Sequence, residues 1–424
     1  MGMEDIFGKP NIETKNEEII FPHGEYGIKE YEKEYGNNDP EEIKRVREIF
    51  DTFLNLEIEN VQIYKSEKFG VSFPFTRIDM NTFAKKLYEK NTGKKAETKK
   101  LENNSELIKR EFIFPGAPLK GDLTDNGPFH FTGESMHQCI GKLPSAFEKI
   151  KNGEEPEQFE VLMLGTPVNE LGTISPEFME NFKKDPTGTM STVFAEFIEK
   201  DLSKNKKDAK LDIELYGISW GGSTAAITGE KLLETGSFTQ EVSQLKDKGL
   251  PKITIRLQNP ISLSRSKIKG PQVWLGSPLN DKVSGDKYGP TMGKENPEFM
   301  KKINNALAKR GILPNVSEEQ KKMKKKAIID VVLSFRKGIK LKPETKVTEI
   351  YGLEDLTTKS AGLTREVTRQ KEAHGETLGQ NLATSQRENS RVFGVDTFHE
   401  IPWFRKNELR RIHKAVEKLQ ELKK

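Results

Sequence analysis

Gly217-Ile218-Ser219-Trp220-Gly221, followed at once by Gly222, is the segment of this chain whose residue types and spacing can do chemistry. It follows an alternating run, Leu211 to Tyr216, that reads as a strand, and it precedes a stretch from Gly222 to Leu233 that reads as a helix. A strand that passes directly into a helix leaves room only for a tight turn. Side chains at 217 and 221 would collide there, so glycine is required. The same turn lifts the Ser219 hydroxyl above the sheet edge and sets the Trp220 N–H at a helix N-terminus, where it can face a developing oxyanion. A neutral hydroxyl is a weak nucleophile. An imidazole must take its proton, and a carboxylate must fix the imidazole tautomer and stabilise the imidazolium.

The elements that must position this turn follow a rhythm that begins near residue 109. Glu111–Phe114 ends at Pro115-Gly116-Ala117-Pro118, Phe159–Leu164 ends at Gly165-Thr166-Pro167, and Leu211–Tyr216 ends at Gly217. Lys252–Leu257, Lys346–Tyr351 and Arg391–Val395 repeat the pattern. Short runs closing on Gly or Pro and separated by helical stretches predict an α/β fold with a mostly parallel sheet. In such sheets chemistry sits just past the carboxyl ends of the strands.

Residues 1–105 read differently and are expected to form an N-terminal α+β extension. Asp39-Pro40-Glu41-Glu42 is a helix start, with Ile43, Val46, Ile49, Phe50, Phe53 and Leu54 at helical spacing behind it. Val61–Tyr64 and Val71–Phe75 predict a hairpin, Asn81–Glu89 a second helix, and 91–105 a polar linker. The core is then expected over 106–275 and again over 344–424. Between them, residues 276–343 hold two helices, Pro297–Arg310 and Ser317–Lys337, expected to form a cap or lid. Phe299, Met300, Ile303 and Phe335 are its candidate pocket-lining residues. Residues 359–390 are polar and read as a loop excursion, partly helical.

Composition narrows the function classes. In 424 residues, 69 Lys and Arg against 65 Asp and Glu leave a net charge of +4, without the basic footprint of a nucleic-acid binder. The run Lys321-Lys322-Met323-Lys324-Lys325-Lys326 reads as a solvated helix face, and the apolar residues of the two cap helices as packing surface. One cysteine, Cys139, cannot make an internal disulfide, and six scattered histidines show no metal-ligand spacing. No GxGxxG follows a strand, and Gly293-Lys294-Glu295 is not a phosphate loop, so neither metal nor cofactor is expected. No apolar run spans a bilayer, and the first residues lack the order of a secretory signal, so the expected compartment is cytoplasmic.

GISWGG with its flanking strand resembles the nucleophile elbow of the α/β-hydrolase superfamily, and the resemblance covers roughly residues 105–420. It implies an acid after a later strand and a histidine after the last one. The strand Val347–Tyr351 runs into Gly352-Leu353-Glu354-Asp355, which matches Asp355 to the acid with Glu354 as its local rival. Arg391–Val395 runs into Asp396-Thr397-Phe398-His399 and then a C-terminal helix, Lys406–Leu422, which matches His399 to the base. The other histidines near the site, His130 and His137, read as loop residues, with pocket lining as the alternative. The second oxyanion donor would come from the loop after Glu111–Phe114. Pro115 stands there where the family often has histidine, and Pro118 has no N–H, so the Ala117 amide is the first candidate and Gly116 the second. The resemblance implies a serine hydrolase that cleaves an ester, thioester or amide of a small-molecule acyl substrate. An acyltransferase with the same triad and a non-catalytic binding protein are the alternatives.

Overall fold

The computed structural model describes residues 22–35, 39–99, 107–117, 132–204, 210–240, 252–258, 263–264, 272–273, 297–314, 317–334, 339–342, 348–352, 358–359, 381–384, 391–395 and 406–423. In chain order its helices are α1 (Pro22–Tyr35), α2 (Pro40–Glu59), α3 (Met80–Thr92), α4 (Thr132–Ile140), α5 (Leu143–Lys151), α6 (Pro176–Lys184), α7 (Pro186–Leu202), α8 (Trp220–Glu234), α9 (Pro297–Lys309), α10 (Glu318–Ser334) and α11 (Lys406–Lys423). The main strands are β1 (Val61–Ser66), β2 (Val71–Asp79), β3 (Leu107–Phe114), β4 (Phe159–Leu164), β5 (Thr173–Ile174) and β6 (Lys210–Ile218). They continue as β7 (Thr239–Gln240), β8 (Lys252–Gln258), β9 (Leu263–Ser264), β10 (Gln272–Val273), β11 (Ile339–Lys340), β12 (Thr348–Gly352), β13 (Thr358–Lys359), β14 (Asn381–Thr384) and β15 (Arg391–Val395).

Helix starts follow from local chemistry. Asp39 caps α2 by accepting from the Glu41 N–H at 2.9 Å, with Pro40 in the first turn and Glu41 and Glu42 against the positive end of the dipole. Asp79 caps α3 through the Asn81 and Thr82 amides, and Gly93 ends it in the left-handed region at φ 68°. Ser175 and Asp185 cap α6 and α7 in the same way.

Among the described residues one sheet of 11 strands forms, with the path β1-β2-β4-β3-β6-β8-β12-β15-β14. Every step from β4 to β15 is parallel, while β2 runs antiparallel to its neighbours β1 and β4, and β14 runs antiparallel to β15. Strand side chains alternate between faces, so the sheet divides the core in two. Phe73, Phe112, Leu162, Leu215 and Ile255 point to the face covered by α6, α7, α8 and α10. Ile78, Ile113, Val161, Met163 and Ile218 point to the face covered by α1–α5 and α11.

Three expectations change here. The hairpin assigned to an N-terminal extension is part of the main sheet: β2 pairs with β4 from Phe75↔Leu164 to Asp79↔Glu160, so the core begins near residue 61 and not at 106. Within 359–390, expected as a loop with some helix, Asn381–Thr384 is an edge strand on β15. The two helices of the expected cap form, but both are packed on the flank of the core. The Ala327 and Val331 side chains of α10 join the α6–α8 face, and α9 lies against α2. Ile303, a candidate pocket residue, is fully buried among Leu54, Ile58, Val61 and Leu171, which gives it a packing role. Phe299 and Met300 occupy the first turn of α9. β11, after these helices, pairs in parallel with β9, before them, through Ile339↔Leu263.

A buried ion network ties the amino ends of the parallel strands together. Arg110 on β3 meets Asp201 at the end of α7 at 2.8 Å and Glu160 on β4 at 2.6 Å, and Arg77 on β2 contacts the same two carboxylates. Arg110 and Asp201 are almost entirely buried, so each charge depends on the other for its solvation.

Candidate active site

β6 ends at Ile218 and α8 begins at Trp220, so Ser219 alone makes the turn. Its backbone sits at φ 59°, ψ −125°, and among the described residues it is the one non-glycine with positive φ. A conformation of this kind costs about 1–3 kcal/mol and persists only where the surroundings impose it. They do so through glycine. A Cβ on Gly217 would lie 2.2 Å from the Gly221 carbonyl oxygen, and one on Gly221 would lie 2.5 Å from the Phe114 carbonyl oxygen. The Ser219 hydroxyl does not cap α8, which leaves it available for other partners. The Trp220 N–H belongs to the first turn of α8, where amides have no intrahelical acceptor.

Buried hydroxyls lock α8 in place. The Trp220 indole Nε1 donates to Thr187 Oγ1 at 2.9 Å, and Ser191 Oγ lies 2.8 Å from the Thr187 carbonyl and 3.0 Å from that of Thr224. Thr224 and Thr228 bond back along α8 to the carbonyls of Trp220 and Thr224. This zip between α7 and α8 escaped the sequence reading. Its only trace there is the fourfold spacing of Thr187 with Ser191 and of Trp220, Thr224 and Thr228.

The loop leaving β3 runs directly behind the turn. Pro115 and Gly116 are buried, Ala117 packs against the α6–α8 face, and the Phe114 and Pro115 carbonyls touch Gly221. The two candidate donor amides of this loop, Gly116 and Ala117, therefore belong to the backbone segment that abuts the serine turn. On the other side of β6 the sheet continues through β8 to β12 and β15, whose last residues, Gly352 and Val395, are register partners. A strained serine after the central strand, a loop after β3 backing it, and two further parallel strands on the serine's other side decide the architecture. The fold is that of the α/β-hydrolases.

Within the α/β-hydrolase fold, Asp355 and its rival Glu354 follow β12, and His399 follows β15. These three, and Phe335, lie outside the described residues. His137, expected in a loop, is buried within α4. Among the described residues no group of three His, Cys, Asp or Glu side chains converges as a metal site, and no helix is long and apolar enough to cross a membrane.

No family model matches the chain, and no curated protein does. Solved structures of similar outline include the thioesterase domain from the curacin biosynthetic pathway, at 9% identity over 85% of this chain and 98% of that one, with a TM-score of 0.29. Peroxisomal alpha-beta-hydrolase Lpx1 from Saccharomyces cerevisiae matches at 9% identity over 85% and 89%, with a TM-score of 0.33. Pyrobaculum calidifontis esterase matches at 11% identity over 90% and 92%, with a TM-score of 0.32.

Beneath the turn, on the α1–α5 face, Glu111 of β3 and Glu214 of β6 are register partners that share one guanidinium, Arg256 of β8. Arg256 also lies 4.5 Å over the Tyr216 ring. Burial is the largest influence on Glu111 and raises its carboxyl pKa; Arg256 works against this and Glu214 adds to it, leaving the group near about 7. Burial likewise pushes the Cys139 thiol far up, so it carries no thiolate at neutral pH.

Proposed function

We propose that this chain is a serine hydrolase that cleaves an ester, thioester or amide bond through an acyl-enzyme on Ser219. The observation that carries the reading is the Ser219 backbone, held at positive φ between two glycines at which any Cβ would press on backbone. Strain of this kind is retained where it positions a reacting atom. In the proposed cycle Ser219 Oγ attacks the acyl carbonyl while His399 takes its proton, and Asp355 holds the His399 tautomer. The Trp220 amide and an amide of the loop after β3, Ala117 before Gly116, stabilise the tetrahedral oxyanion. His399 returns the proton to the leaving group, and water releases the acyl group by the same steps in reverse order.

Intact-mass spectrometry after exposure to a fluorophosphonate tests this. Wild type is expected to gain one adduct, and Ser219→Ala and His399→Ala none. A folded wild-type protein that stays unlabelled, or a Ser219→Ala variant that labels equally, would remove Ser219 from the mechanism.

A further inference from the structure

Among the described residues three large apolar side chains are at least half exposed, Leu313, Ile329 and Leu333, and all three lie on or just before α10. The same helix carries the lysine run. Its inner side is fixed: Met323, Ala327, Ile328 and Val331 pack into the α6–α8 face, and Gln320 bonds both the N–H and the carbonyl of Ile174 on β5. Lys324 turns inward and is buried, with Nζ 3.4 Å from the Glu170 carbonyl. Lys322, Lys325, Lys326, Ile329 and Leu333 are exposed on one side of the helix, and Glu318 and Glu319, exposed in its first turn, extend that side, with Glu318 paired to the exposed Lys321. Three cations thus run into two bulky apolar side chains on a helix held rigidly by its other face.

We propose that this outer face of α10 docks on an anionic lipid bilayer. Ile329 and Leu333 stand at one end of a face whose exposed cations outnumber its carboxylates. They suit shallow insertion between headgroups, where lysine stems lie along the interface and their ammonium groups meet lipid phosphate and carboxylate. Each exposed lysine adds attraction to an acidic leaflet, and the apolar pair supplies what charge alone does not, a hold that outlasts added salt. The proposal is independent of the chemistry at Ser219, because its readout is partition and not turnover.

Co-sedimentation of the full chain with vesicles tests it, using phosphatidylcholine alone and phosphatidylcholine with about a third phosphatidylserine. Wild type is expected to pellet with the mixed vesicles only. Lys322→Gln/Lys325→Gln/Lys326→Gln should weaken partition about a hundredfold, and Ile329→Ser/Leu333→Ser about tenfold or more. Lys90→Gln/Lys94→Gln, on exposed positions in and just after α3, should change it less than twofold. All seven positions are exposed, so unchanged melting of each variant separates docking from folding. The proposal is overturned if wild type stays in the supernatant at low salt, or if the α3 variant loses as much as the lysine triple. Undiminished binding by Ile329→Ser/Leu333→Ser overturns it as well. Retention on immobilised polyglutamate without vesicle binding would assign the face to an acidic protein, against the proposal.

Discussion

Gly221 and Pro115 meet backbone to backbone: a Cβ at Gly221 would stand 2.4 Å from the Pro115 carbonyl oxygen. The serine turn and the loop after β3 are thus in contact with no side chain between them. Gly221→Ala must push one away from the other, with a cost of about 1–3 kcal/mol. The expected outcome is a lower urea midpoint together with loss of fluorophosphonate labelling, since the amides of the loop and the serine no longer share a position. Wild-type labelling in this variant would mean that the contact does not set the site.

Ser219 itself holds strain that glycine would relieve. Ser219→Gly is expected to abolish labelling and to raise stability by about 1 kcal/mol, within the range of a non-glycine residue at positive φ. Calorimetry or urea unfolding reads the gain. A destabilised Ser219→Gly would show that the side chain contributes more to the fold than its backbone costs.

Thr187 accepts the only indole hydrogen bond of a fully buried Trp220. Thr187→Val keeps the shape and removes the acceptor, which leaves the Nε1 proton unsatisfied at about 1–3 kcal/mol. Thr187→Ser restores the oxygen and should recover most of the loss. Denaturant unfolding of the two variants side by side checks the difference.

Glu111 inverts the usual pH behaviour of a carboxylate in an ion pair. Its folded pKa is raised from about 4.5 toward about 7, chiefly by burial, and the groups facing it are Arg256, Glu214 and Lys142. Between those values the folded chain keeps a proton that the unfolded chain has released. By linkage its contribution is full below pH of about 4.5 and is lost as pH rises to about 7. Glu111→Gln should remove this slope, leaving Arg256 its bond to Glu214. Urea midpoints of wild type and variant across pH 4–8 test it, and parallel curves would contradict the raised value.

Much of this architecture was legible locally. The runs that became β3, β4, β6, β8, β12 and β15 announce themselves by alternation and by the Gly or Pro that closes them. α2 is visible from its Asp39-Pro40 start, and the serine turn from two glycines at fixed spacing. Pairing is not local. Nothing near Val71–Asp79 says that it will lie against Phe159–Leu164, so a hairpin that fills the sheet read as an appendage. The Glu111–Arg256–Glu214 cluster was hidden for a related reason: each member is one charged residue in an otherwise ordinary strand, and only strand order brings the three together. Ser219 and its glycines could be read from steric need. Asp355 and His399 rest on resemblance to a family order, because a triad closes through space, between loops that local patterns do not relate.

The packing of α11 has a consequence for the order in which this protein is made. Leu409, Ile412, Ala415, Val416 and Leu419 share one core with Val46, Phe50 and Phe53 of α2 and Phe83 of α3, and His413 stacks on Tyr35 at 4.1 Å. At about 5–20 residues per second, a ribosome delivers α2 on the order of tens of seconds before α11. Throughout that interval the part of the α2 and α3 apolar faces that α11 covers stays open to chaperones. The elements that abut the serine turn, β3 with its following loop, β6 and α8, are all made before α11, so the turn can form while the opposite face of the sheet still lacks its last helix.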